Sequence, residues 1–138
     1  MSDWLTAELE AAHREHTNGR TYGHDVDAGE TDCVITVEAM LAAVYGPEVY
    51  DLRADLRVWD ATRPWSAVDA CSAFGGVPVV DPVPGGWHVV QGWRRLPRGA
   101  VAGSGHVLMY WHPADGGVGR ILEANLTRPW DRRATWGE

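Results

Sequence analysis

The chain has 138 residues, with 45% hydrophobic and 22% charged side chains, which suits one folded domain and argues against disorder or a fibrous repeat. Its net charge is −7, and every basic residue apart from the histidines is Arg, which speaks against a general nucleic-acid binder. Two Cys are too few for a disulfide scaffold. The start Met1-Ser2-Asp3-Trp4 lacks a basic stretch, and no apolar run reaches the ~20 residues of a spanning helix. The expectation is a protein without signal peptide or membrane insertion, cytoplasmic as made, with a phage-associated protein, one exported by another route and a cytosolic one all left open.

Taken in chain order, Ser2 caps a first helix with Leu5, Leu9 and Ala12 on one face, and Asn18-Gly19 ends it. A Gly-rich acidic loop covers Arg20 to Thr31. Cys33 to Tyr45 then reads as a helix apolar nearly all round, hence buried, and Gly46-Pro47 stops it. Glu48 to Trp59 and Pro64 to Phe74 read as two further helices, the second capped by Thr62 and stopped by Gly75-Gly76. The register then changes to strands at Trp87–Trp93, His106–His112 and Arg120–Leu126, with Asp115-Gly116-Gly117 as a hairpin turn. Helices first and an antiparallel sheet after is the α+β pattern.

Three segments carry chemistry. Cys33 opens the buried helix directly after Asp32, where the positive end of the helix dipole favours a thiolate; the plainer reading is a small core residue. His106 stands at the start of a strand, on one face with Leu108 and Tyr110, and suits a general base. Glu123 and Asn125 share a face of the next strand, and either one can hold the imidazole and fix its tautomer.

Gly105-His106-Val107 followed by Glu123-Ala124-Asn125, with a Cys upstream at a helix start, resembles the CHAP amidase/peptidase domains. Tyr22-Gly23 and then Asp32-Cys33 resemble the opening of the wider NlpC/P60 superfamily. The likeness runs from about Tyr22 to about Leu126 and would make residues 1–138 a single such domain. It implies a papain-like α+β core with the nucleophile helix packed on an antiparallel sheet. It further implies a cysteine hydrolase that cuts amide bonds of bacterial peptidoglycan peptides through an acyl-enzyme on Cys33. His106 would be base and then acid, Glu123 would orient it, and Asn125 would be a second orienting or oxyanion-side group. Tyr22 and Asp32 would meet substrate, and the Cys33 N–H would bind the oxyanion. The sequence departs from NlpC/P60 in Val34-Ile35, where that branch has Ser-Gly. The alternatives are therefore a protein-directed isopeptidase or deamidase of the same fold, or a catalytically inactive binding domain.

Other candidates are weaker. Asp25 and Asp27 alternate in a loop suited to calcium, although an ordinary acidic solvated loop is the preferred reading, and no cofactor is required. Trp93 or Trp111 can line a cleft and stack on substrate, while Trp87 reads as core. Cys71 reads as core, His13 and His16 as solvent-facing, and Arg94-Arg95 and Arg132-Arg133 as solvated, with acidic substrate groups as their alternative partners. The acidic loop before Cys33 would either hold a cation or raise the thiol pKa.

Overall fold

The computed structural model describes residues 3–50, 66–95 and 101–137, without the side chains of residues 3, 93–95 and 101–104. Helix α1 spans Asp3–Thr17 and is followed by two very short strands, β1 (Thr21–Tyr22) and β2 (Glu30–Thr31), which pair in parallel. Helix α2 is Cys33–Tyr45 and α3 is Ala67–Ser72. Four strands close the chain: β3 (Gly86–Arg95), β4 (Val101–His112), β5 (Gly119–Leu122) and β6 (Asp131–Ala134). They form an antiparallel meander in the order β3-β4-β5-β6. The mixed helix and sheet content agrees with the α+β expectation.

The apolar periodicity explains the layering. Leu9 of α1 and Val37, Met40 and Leu41 of α2 meet Val107 and Met109 of β4 and Leu122 of β5 in one buried cluster. Each such side chain contributes about 1.5–3 kcal/mol by leaving water. The alternate residues of the sheet, Tyr110, Ile121 and Ala134, form a second cluster with Val90 and Leu108. Strand alternation thus gives the sheet one face toward the helices and another face of its own. Trp87 packs on the helical cluster and donates its indole N–H to Thr6 Oγ1 at 3.0 Å, as a core Trp should.

Several boundaries differ from the expectation. The third helix is shorter than Pro64–Phe74 and is capped by Ser66, which accepts from Asp69 N–H; Thr62 and residues 51–65, including most of the Glu48–Trp59 segment, lie outside the described residues. β4 begins at Val101 rather than at His106, because β3 pairs alongside it as far as Arg95↔Val101. β5 ends at Leu122, so Glu123 and Asn125 follow the strand instead of lying within it. The cause is Asn125, whose Oδ1 takes the N–H groups of Thr127 and Arg128 at 2.9 and 2.6 Å and turns the chain. The turn leads into β6, whose Asp-Arg-Arg-Ala sequence has no apolar alternation to announce it.

Candidate active site

The site is assembled at the N-terminus of α2. Asp32 is its cap: its backbone is extended, and Oδ1 accepts from Ile35 N–H at 2.8 Å. Cys33 therefore occupies the first helical position, where the unpaired N–H groups of the helix converge. The short β1–β2 pair sets Tyr22 beside Thr31, and so beside the cap and the thiol. Gly29 supports this arrangement. It closes the Val26–Ala28 turn at φ 81°, a left-handed conformation that costs glycine no Cβ clash.

Cys33 is 8% exposed. Its sulfur meets the imidazole of His106 and the N–H of Val107 as hydrogen-bond partners. β5 pairs with β4 only as far as Met109↔Leu122, which leaves Val107 N–H to Cys33. Burial opposes the thiolate, but these hydrogen bonds and the His106 charge outweigh burial and the nearby Asp32 carboxylate, and the thiol is held below its ordinary value.

His106 joins Cys33 to Glu123. Its Nε2 lies 2.5 Å from Glu123 Oε2, so Nδ1 is the nitrogen left for the sulfur. The hydrogen bond with Cys33, then that with Glu123, push the imidazole up to about 9 against the cost of burial. The pair is thereby biased toward thiolate and imidazolium. Glu123 is 1% exposed. Burial disfavours its charge, yet hydrogen bonds from His106 and Arg132 hold the carboxyl below its usual range.

Tyr22 also meets the thiol. Its hydroxyl is a hydrogen-bond partner of both the Cys33 sulfur and the Cys33 N–H. Burial, then the Cys33 and Asp32 charges, push it up to about 12, so it stays a protonated donor. The Cys33 N–H, expected from sequence to serve an oxyanion, is thus engaged by the Tyr22 hydroxyl.

The remaining expectations resolve one by one. Glu123, not Asn125, touches the imidazole; Asn125 Nδ2 donates to Glu123 Oε1 at 2.9 Å. Asp32 uses both oxygens, one for the cap and one for His24 Nδ1 at 3.0 Å. The side chain of Trp93 lies outside the described residues; its backbone pairs with Gly105. Asp25 Oδ1 accepts from Ala28 N–H, and Asp25 N–H donates to Glu30 Oε1. No group of three or more His, Cys, Asp or Glu side chains among the described residues is placed to hold a metal.

Three residues were not read from the sequence as parts of this site. Arg132, expected in solvent, donates from Nε to Glu123 Oε1 at 2.8 Å. His13 is buried rather than solvent-facing, and its Nε2 bonds the Glu123 carbonyl at 2.9 Å. His24, 79% exposed in its side chain, stands against the Asp32 carboxylate. His16 is likewise engaged, through Nε2 to Thr31 Oγ1 at 2.8 Å. A local signal existed only for His13, whose four-residue spacing from Leu9 places it toward the apolar face of α1.

Comparison of the chain with family models, with curated proteins and with solved structures finds no match. The functional reading therefore stands on the site and on the sequence motifs. Among the described residues no helix is long and apolar enough to cross a membrane.

Proposed function

We propose that the protein is a cysteine amidohydrolase or peptidase with a papain-like core, acting through an acyl-enzyme on Cys33. The observation that carries this reading is the continuous hydrogen-bonded chain Cys33–His106–Glu123 at a helix N-terminus. A buried thiol without a function has no need of an imidazole backed by a buried carboxylate.

The chemistry follows from the geometry. The Cys33 thiolate, its proton already on His106, attacks the amide carbonyl carbon. In the free protein Tyr22 O–H bonds the sulfur and its oxygen engages Cys33 N–H, and both donors turn to the oxyanion once substrate enters. The imidazolium then gives its proton to the leaving amine, and the thioester forms. Water attacks the thioester with His106 as base, releasing acid and thiol. Glu123 keeps the ring in one orientation and stabilises its charge throughout.

The proposed substrate is an amide bond in a bacterial peptidoglycan peptide. The resemblance of Gly105-His106-Val107, Glu123-Ala124-Asn125 and Tyr22-Gly23 to the CHAP and NlpC/P60 enzymes supports it. Val34-Ile35 after the Cys, and the engagement of Asp32 by His24, favour a second substrate class, a protein amide cut by an isopeptidase or deamidase of the same fold. Purified muropeptides and protein amides offered side by side separate the two. In either case Cys33→Ala is expected to lower hydrolysis by at least ~10³-fold with the fold intact. A folded Cys33→Ala protein that hydrolyses at the native rate refutes the proposal.

A further inference from the structure

The Glu123 carboxylate is held by more than the residue it serves. Oε2 is on His106, while Oε1 accepts from Asn125 Nδ2 at 2.9 Å and from Arg132 Nε at 2.8 Å. These two supports differ in kind. Asn125 is two residues from Glu123, on the same turn, and is a neutral amide. Arg132 comes from β6, where it is paired across the sheet with Ile121, and its side chain is only 19% exposed. Among the described residues it is the one permanent cation bonded to this carboxylate, since Arg120 is occupied by Glu10 and Asp131. Without Arg132, Oε1 would be held by Asn125 alone, a neutral side chain from the turn that Glu123 itself opens. A second anchor on the sheet holds that oxygen from outside the turn.

We propose that Arg132 is a positioning residue of this site, holding Glu123 Oε1 from β6 so that Oε2 stays on His106; this rests on the cysteine-hydrolase reading. The groups that face the carboxylate are His106 of β4, Arg132 of β6 and Asn125, with His13 of α1 on the adjoining carbonyl and Cys33 and Tyr22 beyond the imidazole. The sign of the effect follows from them. Arg132 favours the ionised carboxylate, so its removal lets Glu123 take a proton at higher pH. It also frees the imidazole to turn away from the sulfur.

The test uses the full chain with Arg132→Met and Arg132→Lys, and needs no substrate. The ¹³C resonance of the Glu123 carboxyl gives its titration midpoint, and iodoacetamide gives the Cys33 alkylation rate. In Arg132→Met the midpoint is expected to rise by about one pH unit, a tenfold change in proton affinity. Cys33 alkylation at neutral pH is expected to slow about tenfold. Arg132→Lys should restore most of the midpoint, because the charge remains, but only part of the rate, because an ammonium lacks the fixed guanidinium fork. A folded Arg132→Met protein with both values unchanged overturns the proposal. Should that variant not fold, the wild-type Arg132 Nε–H resonance decides. It is expected to shift at the pH where Glu123 titrates, and its indifference to that titration overturns the proposal. A wild-type Cys33 that alkylates like an ordinary thiol instead refutes the hydrolase reading, while the Glu123 and Arg132 resonances still test Arg132.

Discussion

The two cysteines of this chain occupy opposite kinds of surroundings. Cys33 sits at a helix start, with an imidazole, a phenol and a strand N–H around its sulfur. Cys71 sits on α3 at the wall of an apolar cavity of about 580 Å³, near Leu9, Leu41 and Trp87. Burial pushes the Cys71 thiol up, whereas Cys33, also buried, is held down. Burial alone therefore does not decide a thiol's chemistry. The donors that face the sulfur do, and among the described residues they face Cys33.

Removing each sulfur breaks the comparison most sharply. Cys33→Ala should abolish hydrolysis, as stated above, while Cys71→Ala should leave the rate within about twofold and cost about 1 kcal/mol of packing, read by denaturant melting. Next comes the base. His106→Ala should lower the rate by ~10³-fold or more and return the Cys33 thiol toward the behaviour of Cys71 in thiol titration.

Glu123 sharpens the contrast through stability and pH. Glu123→Ala leaves His106 and Arg132 without their shared partner and should cost about 3 kcal/mol in chemical denaturation. His106 is raised from 6.5 to about 9, so its contribution to stability is full below 6.5 and is lost as pH rises through about 9. Glu123 is depressed, so its contribution is present above the ordinary carboxylate range and is lost as pH falls. Hydrolysis by the wild type should accordingly fall as pH rises through about 9, where the imidazolium is lost. In Glu123→Gln that limb should move to lower pH, because the hydrogen bond that His106 donates to the carboxylate helps to raise the imidazole.

The smallest expected effect lies furthest from the sulfur. His13→Gln should change the hydrolytic rate by only a few-fold, since the ring meets the Glu123 carbonyl and not its carboxylate.

What the sequence made legible was what neighbouring residues decide. Asp32 before an apolar run fixes a cap, and so puts Cys33 at a helix start. Asp115-Gly116-Gly117 joins β4 to β5, and that hairpin carries Glu123 to His106. The supports were illegible because they depend on docking between distant segments. His13 reaches Glu123 only once α1 lies on the sheet, and Arg120 of β5, bonded to Glu10 of α1, helps to hold it there. Arg132 reaches Glu123 only because Asn125 turns the chain back into a strand that charged residues disguise. Asp32 kept its place but not its expected freedom, since His24, a residue of the acidic loop, already occupies it.

The central claim is that Cys33 is an activated nucleophile and Cys71 is not. Its most direct measurement is the rate of iodoacetamide labelling at each cysteine, read by mass spectrometry of the digested protein across pH, in the wild type and in His106→Ala. The account predicts that wild-type Cys33 labels well below the pH at which an ordinary thiol ionises, about 8.5, that Cys71 does not, and that His106→Ala removes the difference. Equal labelling of the two cysteines in the wild type, or a Cys33 profile that His106→Ala leaves unchanged, would contradict it.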